Sequence, residues 1–262
     1  MANHYRALFI SDVHLGTRWS QAPKLLEFLA QAGTDTLYLV GDIVDFWRIR
    51  RGIVWPESHG QVLEAIVRLA HAGTRVVFIP GNHDDGLRAY CGTRFGNIEI
   101  KRNDVHVTAS GKRYFVTHGD EYDAVMARAK WLALIGDRSY AAALAFNKPL
   151  NWVRGLLGME YWSISAYLKH RVKACVGRAT NFEKALVAAA ASNQATGVIC
   201  GHIHHAASRE IGSVHYVNTG DWVESCTAVV ETSSGKLELI DWSRAPKLAQ
   251  APARVHELGA AA

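Results

Sequence analysis

Leu37-Tyr38-Leu39-Val40-Gly41-Asp42-Ile43-Val44-Asp45 is the stretch whose reading decides the fold. Four apolar residues in a row have the length and character of a short buried strand, and the run stops at a glycine followed directly by a carboxylate. In open α/β sheets the chemistry collects at the carboxyl ends of such strands. The same device recurs along the chain. Ala7–Ile10 ends in Ser11-Asp12-Val13-His14, and Val76–Ile79 ends in Pro80-Gly81-Asn82-His83-Asp84. Tyr114–Thr117 ends in His118-Gly119-Asp120, and Val198–Cys200 ends in Gly201-His202-Ile203-His204. Asp, His and Asn are side chains that suit divalent cations. Taken alone, Asp12 or Asp42 reads as a turn cap. Asn82, His83 and Asp84 in a row cannot all be structural at a buried strand end. Five such endings in one chain point to a metal site, and seven ligands suit two ions sharing a carboxylate better than one tetrahedral ion.

Working outward, strand and helix patterns alternate on both sides of this stretch. A helix is expected from about Pro23 to Gln31, with Leu25, Leu26, Phe28 and Leu29 as its apolar face and Ala32-Gly33-Thr34 as its end. After a loop rich in Arg and Trp (Trp47–Pro56), a second helix over about Glu57–His71 ends in Ala72-Gly73-Thr74. The matched units imply right-handed crossovers and a parallel sheet. From Ile98 the strands shorten and turn at Ser110-Gly111 as in a hairpin. Residues 122–191 carry no strand signal and read as a helical insertion broken at Gly136, Pro149 and Gly158. The strands that follow, Val198–Cys200, Val214–Asn218, Thr227–Glu231 and Leu237–Trp242, imply a second, more antiparallel sheet. The expected division is a core of residues 1–121 and 192–242, the insertion 122–191, and a frayed Ala/Pro-rich tail 243–262.

The chain has 262 residues, 49% of them apolar and 20% charged, which places it among folded globular proteins. Its net charge of +5 suits an anionic substrate or a membrane surface and is too small by itself to imply nucleic acid. Four dispersed cysteines without a C-x-x-C spacing fit reduced thiols in the cytoplasm. The short Met1–Arg6 lead into the first strand leaves no room for a signal peptide, and no apolar run reaches the ~18 residues of a membrane span.

The ordered set D-x-H, G-D-x-x-D, G-N-H-D, H-G-D and G-H-x-H resembles the calcineurin-like metallophosphoesterases. The resemblance implies an α/β protein, a four-layer α/β/β/α sandwich with a helical lid. It also implies roles at the matching positions. Asp12, His14 and His204 would hold a first metal, Asn82, His118 and His202 a second, and Asp42 would bridge both. Mn²⁺ is the metal the family favours, and Zn or Fe fits the same mixed ligand set. His83 would be a catalytic residue that sits near the leaving oxygen or stabilises the transferred group, with Asp84 orienting its ring. Within the superfamily the chain is most similar to the UDP-2,3-diacylglucosamine pyrophosphatases and their paralogues, through Ser11–Gly16, Gly41–Trp47 and the insertion ahead of Gly201-His202. That resemblance implies a lipid A-type substrate and a lid that takes acyl chains. His83 stands where the best-known branch has Arg, which leaves a monoester or diester substrate open. A phosphate leaving group scarcely needs a proton donor, whereas an alkoxide does.

The insertion fits an amphipathic phosphate ester. Trp152, Leu156, Leu157, Met159, Tyr161, Trp162, Ile164, Tyr167 and Leu168 precede a basic run containing Lys169, Arg171, Lys173 and Arg178, the expected substrate-binding residues. The bland alternative is a helical hairpin with a solvated charged face. The expectation is a metal-dependent phosphoric ester or diphosphate hydrolase in the cytoplasm, touching the inner face of the cell membrane. The rivals are a metallophosphatase or phosphodiesterase for soluble or nucleotide substrates and a binding scaffold of the same fold. The short basic clusters argue against a nucleic-acid partner, and the sequence is silent on oligomeric state.

Overall fold

Period-two alternation along the strands sets the layering. The computed structural model describes residues 3–123 and 179–244. In β1 (Asn3–Ile10), Leu8 and Ile10 pack under helices while Ala7 and Phe9 face a second sheet. In β2 (Ala32–Val40), Leu37 and Leu39 repeat the first role and Tyr38 and Val40 the second, and β3 (Arg75–Ile79) divides Val76 and Phe78 from Val77 and Ile79 in the same way. A strand buried on both faces has no polar side to spend, so it reads as a continuous apolar run. Each fully buried Leu, Ile or Phe contributes ~1.5–3 kcal/mol.

The helices over this sheet are α1 (Ala22–Gln31), which buries Leu25, Phe28 and Leu29, and α3 (Glu57–His71), which buries Val62, Ala65, Ile66 and Ala70. Both apolar stripes follow the i, i+3, i+4 spacing of an amphipathic helix. Their ends differ from each other. Gly73 ends α3 with φ 105°, and the Thr74 N–H donates to Leu69 O at 3.0 Å, the six-residue closure that needs a left-handed residue. Gly33 does no such thing. The expected glycine cap of α1 is absent because β2 starts at Ala32 itself, paired with Asn3 of β1. The expected loop after the central strand contains a short helix, α2 (Phe46–Ile49), started by Asp45 Oδ1, which accepts the Arg48 N–H at 2.8 Å.

The strand order of the first sheet is β12-β11-β1-β2-β3-β5-β4, where β4 is Arg94–Phe95, β5 Ile98–Ile100, β11 Thr227–Glu231 and β12 Leu237–Asp241. The second is β6-β7-β8-β10-β9, with β6 Asp104–Val107, β7 Arg113–Val116, β8 Gly197–Cys200, β9 Ala207–Ile211 and β10 Val214–Asn218. This corrects the expected strand assignment. β11 and β12 return to the first sheet, β11 antiparallel to β1 and β12 antiparallel to β11, and the second sheet contains two parallel pairs, β7–β8 and β8–β10. The reason is burial. β11 hides Ala228 and Val230 under the helices and Val229 between the sheets, which only an internal strand of the sandwich can do.

The outer face of the second sheet, Phe115, Val198, Cys200 and Tyr216, is covered by α4 (Ala179–Ser192) through Phe182, Leu186 and Ala190. Helices, sheet, sheet and helix therefore form four layers. The last part of the stretch read as an insertion is this fourth layer. Residues 124–178, with the basic residues Lys169, Arg171, Lys173 and Arg178 and the lid expected there, lie outside the described residues, as does the tail from 245. Among the described residues no helix is long and apolar enough to cross a membrane.

Candidate metal centre

Five strands, β1, β2, β3, β7 and β8, end at one edge of the sandwich, and the loops they feed interlock. The loops after β1 and β2 are zipped by backbone bonds: Asp12 N–H to Gly41 O at 3.0 Å, His14 N–H to Asp42 O at 2.9 Å, and Asp45 N–H to Leu15 O at 2.8 Å. Asp84 ties in the loop after β3. Its buried carboxylate accepts N–H groups from Gly81 at 2.5 Å, Ile43 at 2.8 Å and Asp42 at 3.3 Å. Burial and the neighbouring Asp42 charge push its pKa up to about 7 against the pull of those donors.

The backbone is strained where the side chains converge. Asp12, His14, Asp42, His202 and His204 all have left-handed φ between 51° and 68°, and only Gln194 and Cys226 join them among the described non-glycine residues. Such conformations cost of order 1 kcal/mol or more each and cluster where function requires them. Gly81 shows the crowding from the other side: a Cβ there would collide with Asp42 Oδ1 and the His118 ring.

The structure brings the expected ligands into two overlapping groups. Asp12 Oδ1 lies 3.2 Å from His204 Nε2, and His14 Nε2 lies 3.4 Å from His204 Nε2 and 4.0 Å from Asp42 Oδ2. On its other side Asp42 Oδ2 lies 3.4 Å from His118 Nε2. Asp12, His14 and His204, and separately Asp12, Asp42 and His118, could each hold a cation. The His202 ring is 5.3 Å from that of His118, and the backbone N–H of His202 donates to Asp12 Oδ2 at 3.0 Å. Asn82 sits in the loop after β3 with its buried Oδ1 lacking a hydrogen-bond partner.

The second nitrogen of each imidazole is engaged elsewhere. His14 Nδ1 meets Asp45 Oδ2 at 3.2 Å, His118 Nδ1 donates to Val40 O at 2.9 Å, His202 Nε2 meets Asp123 Oδ2 at 3.2 Å, and His204 Nδ1 faces Asp221 Oδ2 at 3.5 Å. An imidazole whose one nitrogen is committed presents a fixed lone pair at the other, which is how histidine ligands are held. That leaves Nε2 of His14, His118 and His204, and Nδ1 of His202.

The chemistry of this set fits divalent cations. Asp12 Oδ1, Asn82 Oδ1 and His118 Nε2 are buried without hydrogen-bond partners, a cost of ~1–3 kcal/mol each unless something binds them. The charge balance agrees. Burial lowers the pKa of His118, yet Asp42 and then Asp12 outweigh it and push it up to about 10. Burial raises that of Asp42, and His118, His83 and His14 hold it well below the usual carboxylate range. A pocket that draws protons onto a fully buried imidazole is short of positive charge.

His83 lies beside this cluster, and Asp84 does not touch its ring. This is a correction. Asp84 is consumed by backbone donors, whereas Asp45 Oδ2 stands 3.0 Å from His83 Nδ1 and serves His14 as well. The Trp47 ring covers His83 at 4.5 Å between centroids. Burial lowers the His83 pKa, but Asp45 and Asp42 reverse this and push it up to about 9. The signal for Asp45 was present as the last position of G-D-x-x-D. For Asp123 and Asp221 the sequence offers none.

The sequence model of the family described as calcineurin-like phosphoesterase matches residues 5–206. Among curated relatives, UDP-2,3-diacylglucosamine hydrolase of Aeromonas hydrophila is 35% identical over 117 residues, 43% of this chain and 47% of that protein. The protein of the same name from Blochmanniella pennsylvanica is 26% identical over 216 residues, 78% of this chain and 81% of that protein. The matched part thus spans about half the length of the first of these relatives. Among solved structures, Yfce, a phosphoesterase from E. coli, overlays with a TM-score of 0.44 at 14% identity, covering 90% of this chain and 98% of the other.

Proposed function

The chain belongs to the calcineurin-like phosphoesterase family, and from that premise we propose that it hydrolyses a lipid-bearing phosphate or diphosphate ester with the help of two divalent cations. The observation that carries this reading is Asp42, whose one carboxylate oxygen faces His14 on one side and His118 on the other. Asp12, His14 and His204 would hold one cation, Asn82, His118 and His202 the other, and Asp42 both, with Mn²⁺ the first metal to try. When bound, the pair supplies Lewis-acid polarisation of the phosphoryl group and a water acidic enough to attack it at neutral pH.

The chain's own residues supply the rest. The Asp12 and Asp42 carboxylates are fixed by the backbone N–H groups of His202 and His83, at 3.0 and 2.8 Å. Asp45 takes Nδ1 of His83, so the opposite ring nitrogen is the one that hands a proton to the leaving oxygen. Trp47 shields that ring from water on one face.

UDP-2,3-diacylglucosamine or a related compound is the substrate favoured by the names of the relatives. The apolar segment and basic run at Trp152–Arg178 would then take acyl chains and a second phosphate at the cytoplasmic face of a membrane. A second reading, a monoester or diester phosphatase, is favoured by the proton held on His83, which a phosphate leaving group does not need. A hydrolysis screen with Mn²⁺ separates them: a UDP-linked diacyl sugar against the same sugar with shorter chains and against simple mono- and diesters. The lipid reading expects rates that climb with acyl length and an Arg171→Ala loss confined to the lipid substrate. Equal rates on the small esters would refute it, and no hydrolysis of any ester would leave a binding scaffold.

A further inference from the structure

Beyond residue 206, where the match to the family ends, one segment reaches back into the centre. Asn218, Thr219, Asp221 and Trp222 are each at most 1% exposed, and their polar atoms point at the loops that carry Asp12 and His204. Thr219 Oγ1 bonds Ser11 Oγ at 2.6 Å, and Ser11 Oγ donates to Asp12 Oδ2 at 2.5 Å. The Trp222 N–H donates to Asp12 O at 3.0 Å, and Asn218 Nδ2 donates to Gly201 O at 2.7 Å, just ahead of His202.

Asp221 divides its carboxylate between two tasks. Oδ1 accepts the N–H groups of Val223, Glu224 and Ser225 at 2.9, 2.6 and 3.0 Å and so builds the following turn. Oδ2, buried and without a hydrogen bond of its own, faces His204 Nδ1 at 3.5 Å. Capping the turn needs only one oxygen, and an asparagine would serve. The second oxygen has His204 as its neighbour. A carboxylate on Nδ1 keeps the proton there and leaves the lone pair on Nε2, the nitrogen 3.2 Å from Asp12 Oδ1.

We propose that Asn218–Trp222 is a positioning element of the centre, and that Asp221 within it acts through His204 on one metal site alone. The inference rests on the two-cation reading above. It predicts an asymmetry that this reading alone does not: perturbing Asp221 weakens one ion selectively.

The test uses the metal-free full-length protein titrated with Mn²⁺ alone, free ion being followed by its six-line electron paramagnetic resonance signal. Asp221→Asn keeps Oδ1 for the turn and replaces Oδ2 with a group that cannot accept from His204. Wild type should take up two ions. Asp221→Asn should bind one of them about 10–100-fold more weakly, the usual effect of removing an outer partner of a ligand, and the other as before. Its metal-free melting temperature should match wild type, and only the gain on adding Mn²⁺ should shrink. Two ions bound with wild-type affinity would overturn the inference. So would equal weakening of both together with a fall in the metal-free melting temperature, which marks a purely structural residue. Should Asp221→Asn not fold, Thr219→Val removes the Ser11 partner and must weaken the same ion. Unchanged binding there overturns the proposal equally. A wild-type protein that takes up no Mn²⁺ would instead bring down the two-cation function itself.

Discussion

Alanine at Gly81 probes the centre with a single carbon atom. Gly81 does not have a left-handed φ, so alanine can adopt its backbone and the perturbation is purely steric. The new Cβ would meet Asp42 Oδ1 and would stand 2.7 Å from His118 Cδ2 and Nε2, where ordinary contact begins at 3.4 Å. The ring must therefore yield by about 0.7 Å. Neither neighbour can do so freely. Asp42 Oδ1 holds the His83 N–H at 2.8 Å and His118 Nδ1 holds Val40 O at 2.9 Å. Overpacking of this kind costs ~1–3 kcal/mol. At ~2–4 °C per kcal/mol for a chain of this size, the metal-free melting temperature should fall by ~2–12 °C. Displacing a reacting group by close to 1 Å costs ~10²-fold in rate, so kcat/KM on a chromogenic phosphodiester with Mn²⁺ should fall by about that factor. Gly86→Ala is the control, since a Cβ there has nothing within 4 Å. A Gly81→Ala protein with wild-type melting and rate, or one no worse than Gly86→Ala, would refute the reasoning.

Asp42→Ala should release both cations, because the carboxylate faces both ligand groups; elemental analysis finding two ions still bound would rule out the shared role. His83→Ala should keep its metal and lose ~10²–10⁴-fold in rate, most with poor leaving groups; an equal loss across leaving groups of different pKa would remove the proton-donor role. Glu99 tests the electrostatics away from the site. Its carboxylate is bound by Arg75 through two contacts of 3.0 Å, and that hydrogen bonding holds its pKa at about 2, below the ordinary 4.5. A depressed acid stabilises the fold fully above about pH 4.5 and loses that contribution as pH falls towards about 2. Urea midpoints of wild type should therefore drop more steeply across that window than those of Glu99→Gln, and parallel curves would contradict the pairing.

What the sequence determined by itself was everything carried by local pattern. Runs such as Leu37–Val40 and Val76–Ile79 are apolar on both faces, which forces a sheet covered on both sides. The Gly-Asp, Gly-Asn-His-Asp and Gly-His-x-His endings announced a cation site, because such groups are costly to bury without a shared purpose. Tertiary structure alone decided how the strands close. β11 looks like its neighbours in sequence, yet it crosses back to lie beside β1, because a strand with both faces apolar must sit inside the sandwich. It also decided which carboxylates serve which imidazoles. Asp84 and Asp45 are each a short step from His83 or from the central strand, and nothing local distinguishes them. Four backbone N–H groups, of Gly81, Asp42, Ile43 and Val44, converge on Asp84 and consume it, which leaves Asp45 for His14 and His83. Asp221 stands 17 residues after His204 in the chain and 3.5 Å from its ring, a proximity set by the parallel pairing of β8 with β10 and by no pattern along the chain.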